Sequence, residues 1–325
     1  MRLSAIASLT CLGIMLAGAS ANAQSSNYPN RPITMVVGSG TGGIVDTTAR
    51  FYAKILSDKI GQPVIVDNKP GAAGIVGVEA VANAKPDGYT MLYATQGPFA
   101  TFPYLYKKLS FKPLESFVTV HGMVDTALLL MVNSSAPYKT LDELIDYLKK
   151  NPGKVNFGST GVGTANHLTG ELFQQATGTK MFHVPYKTSS SQYADLLSGT
   201  IDVIFDFTVA MRPQIEAGKL RALAISRDTR IKNLPDVPTF KERGLDVIVT
   251  AWSALVMPAG TPQDIVSKMS SAFAQAMRDP AALKYNEDND FGSLGHLGPS
   301  DLRQFFISES EKFKQVVERS GVSLD

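Results

Sequence analysis

The chain has 325 residues, a length for about two domains. Hydrophobic residues make up 44% and charged residues 18%, with a mean hydropathy of +0.01, which excludes a disordered chain, a collagen-like repeat and a polytopic membrane protein. The balance of 31 basic and 29 acidic residues leaves +2, with no lysine/arginine block dense enough to follow a phosphate backbone, so no nucleic-acid partner is expected.

Arg2 is followed by an uncharged stretch from Leu3 to Gly18 and then by Ala21-Asn22-Ala23, which predicts a secretory signal over residues 1–23, cut after Ala23. A retained anchor would need a stop-transfer pattern that does not follow, and the apolar run before Cys11 is too short for a lipidation signal. Cys11 is the one cysteine, so the exported chain is expected to lack disulfides, thiolate metal sites and a cysteine nucleophile. The leader has no arginine pair and predicts export of an unfolded chain, which would lose any cofactor loaded in the cytoplasm; none is expected.

Beyond the leader, Ile33 to Val37 reads as a strand, Gly38 to Gly43 as a glycine-rich turn, and Val45, Ala49, Tyr52, Leu56 and Ile60 as one face of a helix. Strand Val64 to Val66, a helix around Ile75 to Ala82 and strand Tyr89 to Thr95 continue the alternation. The middle of the chain repeats it. Strands are expected at Leu128 to Val132, Val155 to Phe157, Met181 to Val184, Val203 to Phe205 and Ala222 to Ile225, separated by helices at Leu141 to Lys149, Thr164 to Gln175 and around Leu196 and Ile215. Apolar strands alternating with helices predict mostly parallel sheets with helices on both faces. After Trp252 to Val256 the chain reads as helical, at Pro262 to Met277 and Pro299 to Arg319. The economical arrangement is a two-lobed α/β protein with residues 24–125 and 248–325 in one lobe and 126–247 in the other. Two crossings between the lobes make a hinge and a ligand cleft.

Gly38-x-Gly40-x-x-Gly43 between a strand and a helix matches a dinucleotide fingerprint, with Asp67 ending the next strand about 20 residues on, where a ribose-binding acid belongs. An exported NAD(P)-dependent oxidoreductase is therefore one alternative. The more general property is that glycines allow close approach and the N–H groups of a helix start attract any anion. Ser159-Thr160-Gly161-Val162-Gly163-Thr164 repeats the device in the second lobe, and a pair of such loops across a cleft points to a small carboxylate or phosphate. Each loop taken singly is equally well read as a helix cap and a turn. His121, His167, His183 and His296 have no metal-ligand spacing, and no Gly-x-Ser-x-Gly elbow is present. Asp206 ends a strand at cleft level.

Tyr28-Pro29-x-Arg31-Pro32-Ile33, Gly42-Gly43-x-x-Asp46, Asp67-Asn68-Lys69-Pro70-Gly71, Pro86-Asp87-Gly88-Tyr89-Thr90, His183-Val184-Pro185-Tyr186, Leu234-Pro235-Asp236-Val237-Pro238 and Pro258-Ala259-Gly260-Thr261-Pro262 together resemble the tripartite tricarboxylate transporter receptors, the Bordetella uptake gene family. The resemblance runs in order along the chain beyond the leader. It implies a two-lobed periplasmic binding protein, not an enzyme, that captures a small organic carboxylate and delivers it, as a monomer, to membrane permease subunits; a sensor for a membrane kinase would use the same fold. It also implies a carboxylate gripped by main-chain N–H groups and hydroxyls: Gly42, Gly43 and Asp46 from the first loop, Ser159, Thr160, Gly163, Thr164 and Ala165 from the second, and Asp206 opposite.

The chain departs from the family pattern at Gly38 to Thr41, where an aromatic and prolines are usual, and at Phe207, where asparagine is common; Thr188 replaces a usual glycine after Lys187. Ser39 and Thr41 then add hydroxyls, and Thr95, Gln96, Phe99, His167 and Phe207 complete the expected ligand-binding set. Phe99, Phe102 and Phe207 follow strand ends, where the crevice of a doubly wound sheet opens, and shift the expectation from aliphatic dicarboxylates to an aromatic carboxylate.

Overall fold

The computed structural model describes residues 27–186 and 189–320; the expected signal segment, Lys187 and Thr188 lie outside the described residues. Ten strands are described: β1 (Ile33–Val37), β2 (Val64–Asn68), β3 (Thr90–Thr95), β4 (Phe117–Asn133), β5 (Asn156–Ser159), β6 (Phe182–Pro185), β7 (Val203–Phe207), β8 (Leu220–Ile225), β9 (Thr250–Pro258) and β10 (Phe291–Ser293). The helices are α1 (Ile44–Ile60), α2 (Ile75–Ala82), α3 (Phe102–Leu105), α4 (Leu141–Lys150), α5 (Ala165–Thr177), α6 (Ser189–Ser198), α7 (Thr208–Glu216), α8 (Gln263–Met277), α9 (Pro280–Asp288) and α10 (Pro299–Ser320).

Local chemistry sets many of these ends. Gly61 and Gly178, both at positive φ, stop α1 and α5 in the left-handed conformation that glycine adopts without penalty. Thr140 caps α4 by accepting from the Glu143 N–H, with acids in the first turn and lysines in the last, matching the helix dipole.

The strands follow one path, β2-β1-β3-β9-β4-β7-β5-β6, with β10 and β8 also paired to β4. The outer pairs, β1 with β2 and β3 and β5 with β6 and β7, are parallel. The pairs of β4 and β9 are antiparallel. Each half is thus mixed rather than mostly parallel, because the chain that crosses on β4 comes back on β9 in the opposite direction. β4 pairs with β9 and β10 up to Ala127 and with β7 and β8 from Leu128, so a single 17-residue strand belongs to both sheets. The expected strand at Leu128 to Val132 is only its second half; His121, Gly122 and Asp125 break the apolar run of the first half in the sequence.

One core cluster runs from Val36 and Leu92 through Trp252 and Leu130 to Phe157 and Phe205, and continues under α10 at Phe306 and Phe313. Separate clusters fill the opposite face of each sheet, around Tyr52 and Phe273 and around Met131 and Ile204. The carboxyl ends of β1, β3, β5 and β7 are left facing the junction between the sheets, the place where α/β sheets bind ligands.

Candidate functional site

The loop after β1 is shaped by backbone contact. A Cβ on Gly38 would lie 2.9 Å from the Gly74 Cα and O, and one on Gly77 would lie 2.9 Å from the Gly38 Cα, so the loop crosses the start of α2 at a distance only glycines permit. Gly42, at φ +84°, donates its N–H to Asp46 Oδ2 at 2.8 Å. Asp46 Oδ1 also accepts from Arg50 Nε at 3.0 Å and Asn68 Nδ2 at 2.9 Å. The Gly42 N–H, then Arg50 and Asn68, hold the buried Asp46 carboxyl down at about 2. Its oxygens are engaged in fixing the loop. Gly43 occupies the N-cap of α1 without a side-chain cap, so the first N–H groups of the helix, on Ile44 and Val45, have no partner within it.

The second loop is built differently. Ser159 is fully buried, with its Oγ 2.6 Å from His183 Nε2 and 3.1 Å from the Gly161 oxygen. Thr160 donates its hydroxyl to Asn166 Oδ1 at 3.2 Å. Gly163 donates its N–H to His167 Nδ1, and Thr164 caps α5 by accepting from the His167 N–H. The His167 and His183 rings lie 4.1 Å apart at a tilt of 35°, with Phe157 stacked on His183, and burial, reinforced at His167 by the neighbouring imidazole, lowers both to about 4. Both rings are therefore neutral at ordinary pH, and His167 accepts from the loop rather than facing a ligand. Asp206 ends β7, buried at 3% exposure; its Oδ1 accepts the Phe207 N–H at 2.7 Å and burial raises its pKa.

Between the two loops lies a cavity of about 680 Å³. Ser39, Ile44, Val45, Thr48, Thr95 and Gln96 line it from one side, and Thr164, Ala165, Asn166, Phe207 and Val209 from the other. Its floor is formed by Val124, Thr126, Ala251, Trp252, Ser253 and Phe291, from β4, β9 and β10. No lysine, arginine, histidine, aspartate or glutamate is among its lining residues. Gln96 is held by the bond from its amide to Thr101 Oγ1.

Of the expected ligand-binding residues, Ser39, Thr95, Gln96, Thr164, Ala165 and Phe207 line this cavity. Thr41, Gly42 and Gly43 lie on the exposed outer side of their loop, while Asp46, Ser159, Thr160, Gly163, His167 and Asp206 stand behind the walls and hold them in shape. Phe99 departs from expectation: it is 1% exposed, packed on Phe117 and Phe306 with centroids 5.2 and 5.3 Å away. Phe102 likewise packs against Tyr106 and over Gly97, away from the cavity. A π-turn over Gly97–Thr101 coils the chain after β3 and turns these rings under α10. Asp67, expected at a ribose, pairs with Lys69 at 3.0 Å and does not line the cavity. Sequence reasoning missed the floor residues, since apolar runs on β4 and β9 look like ordinary core.

The profile of the family described as tripartite tricarboxylate transporter family receptor matches residues 48–322. A curated relative from Agrobacterium vitis, the UPF0065 protein in the TAR-I ttuE-ttuC' intergenic region, is 38% identical over 309 residues, covering 93% of this chain and 87% of its own. The periplasmic binding protein BugD has a similar solved structure, with TM-score 0.75, 32% identity and coverage of 91% of this chain and 99% of its own. R. palustris Rpa4515, solved with adipate, superposes with TM-score 0.78 at 30% identity over 91% of this chain and 99% of its own. Among the described residues no helix is long and apolar enough to cross a membrane, and no three histidine, cysteine or acidic side chains are grouped to hold a metal.

Proposed function

The chain belongs to the tripartite tricarboxylate transporter receptor family, and on that premise we propose that it is a periplasmic receptor which captures a small organic carboxylate between its two sheets and passes it to membrane permease subunits. The observation that carries this is the convergence of two helix starts, α1 at Ile44 and α5 at Ala165, on one cavity that contains no charged side chain. A helix N-terminus carries unpaired N–H groups and the positive end of the dipole, and together these attract an anion without a counter-cation.

In this reading the carboxylate takes N–H groups from Ile44, Val45, Ala165 and Asn166 and the unpartnered hydroxyl of Ser39, while the Thr164 hydroxyl is spent on the Gly161 oxygen and on capping α5. The glycines of both loops supply shape rather than contacts. Trp252, Phe207, Tyr93 and Phe291 give the remainder of the cavity aromatic and apolar walls suited to a ring or a hydrocarbon body. Residues 24–125 and 248–325 form one lobe and 126–247 the other, hinged at the two crossings and closing as a monomer on the ligand, the signal a permease would read. The expected leader over residues 1–23 places the receptor in the periplasm, and no chemical step is assigned to it.

The test is calorimetry on protein unfolded, refolded and freed of any bound solute, with organic carboxylates and NAD(P) as separate titrants. A ligand at about 100 times its Kd should stabilise the fold by ~2.7 kcal/mol in a parallel thermal scan. Stabilisation by NAD(P), with none from any carboxylate, would overturn the proposal.

A further inference from the structure

Asn166, in the first turn of α5, donates from Nδ2 to the Phe205 oxygen at 2.7 Å and so fixes that helix start against the end of β7. Phe205 and Phe207 share a face of β7 by strand alternation. Phe205 is buried in the core, with Phe157 and Phe173 against it at 6.3 and 5.7 Å. Phe207, at the end of the same row, is only partly buried; like Ala165 it stands at the fringe of that core cluster and lines the cavity. Its backbone is fixed by the N–H bond to Asp206 Oδ1 at 2.7 Å and by its place as the N-cap residue of α7.

The other rings of the lining are engaged with protein. Trp252 is buried and stacks on Phe306 at 4.8 Å, Tyr93 is buried on β3, and Phe291 meets Tyr285 in a T-shaped pair at 6.0 Å. Phe207 is paired with no other ring among the described residues. A carboxylate seated on the N–H groups of Ala165 and Asn166 places the atoms bonded to it beside this ring. An aromatic body there gains offset-stacked or edge-to-face contact beyond the area it buries, whereas a saturated body of the same size gains the burial alone.

We infer that the ligand is an aromatic carboxylate, with its ring next to the carboxyl group, and that Phe207 is the residue that selects the ring. The inference rests on the carboxylate-receptor proposal and names the substrate class within it.

Two matched pairs of probes test it by calorimetry on the refolded protein: benzoate with cyclohexanecarboxylate, and terephthalate with trans-cyclohexane-1,4-dicarboxylate. Adipate serves as an open-chain probe. Within each pair the charge is constant and the length nearly so, while the body changes from aromatic to saturated. The aromatic acid should bind at least 3-fold tighter than its saturated partner in the pair that fits. Phe207→Leu keeps an apolar side chain without a ring and should bring that ratio close to one, and Phe207→Tyr should retain it. A saturated acid or adipate that binds as tightly as the aromatic acids would overturn the inference and leave the carboxylate receptor standing. An unaltered ratio in a folded Phe207→Leu protein would overturn the role of Phe207. Heat from none of the five acids would overturn the carboxylate-receptor proposal and this inference together.

Discussion

Arg212 donates from Nη1 to Asp290 Oδ2 at 2.9 Å, and so ties α7, which packs on β7 and β8, to the turn between α9 and β10. The carboxylate is 1% exposed and also accepts from Asn233 Nδ2 at 2.6 Å, while Arg212 Nη2 reaches the Asp288 oxygen at 3.1 Å. Val209, three residues before Arg212, lines a wall of the cavity and Phe291, next to Asp290, its floor, so the pair fastens that wall to the floor.

Removing only the guanidinium strands a buried carboxylate. Arg212→Ala is expected to lower stability by about 3–5 kcal/mol in urea unfolding, and Arg212→Ala combined with Asp290→Ala to recover part of that loss. A double variant less stable than Arg212→Ala would contradict the account.

Trp252 is the single tryptophan of the chain, lines the cavity, stacks on Phe306 at 4.8 Å and donates to Glu309 Oε2 at 2.9 Å. A bound solute changes its polarity and packing directly. Titration with a binding carboxylate should shift or quench tryptophan emission with the calorimetric Kd, and no change at saturation would place the solute elsewhere.

His167 and His183 are held down at about 4 by burial, against the ordinary 6.5. Between those values the unfolded chain takes up protons that the folded chain refuses, so their contribution is complete above pH 6.5 and is lost as pH falls towards 4. At about 1.4 kcal/mol per unit of pKa difference, the two rings should together remove on the order of 5 kcal/mol between pH 7 and 4.5. The variant His167→Gln/His183→Asn should show a flatter dependence of urea midpoint on pH; equal slopes would sink the assignment.

Gly77 lies inside α2, where alanine would normally stabilise by ~1 kcal/mol through helix propensity. Its Cβ would meet the Gly38 Cα at 2.9 Å and the Lys69 oxygen at 3.2 Å, both backbone atoms that cannot swing aside. The clash should win. Gly77→Ala is expected to cost ~1–3 kcal/mol and, by pushing the β1 loop towards the cavity, to weaken carboxylate binding. A thermal scan beside calorimetry checks both, and a stabilised variant would show that the loop yields.

Much of the molecule is written in local pattern. The apolar strands, the 3.6-residue helix periodicity and the glycines at Gly61 and Gly178 place elements near their observed bounds, because backbone sterics and amphipathicity act over a few residues. Both glycine-rich loops before helix starts are legible for the same reason: a helix start with glycines before it has the same pattern wherever it stands. What each loop residue does is not legible. Ser159 and His167 look like ligand contacts until His183, 24 and 16 positions away, pairs with the Ser159 hydroxyl and packs at a tilt against the His167 ring.

The sequence by itself determined an α/β chain of two lobes, a family, and two glycine-rich loops opening helices, since each depends on spacing that neighbouring residues share. Only the tertiary structure decided which side chains meet the cavity. The π-turn after β3 sends Phe99 into the core under Phe306, whereas β4, β9 and β10 bring Thr126, Ala251 and Phe291 together across more than half the chain. Burial or exposure of an apolar residue is settled by what packs over it, and strands paired at such separation leave no trace in the local pattern of any one of them.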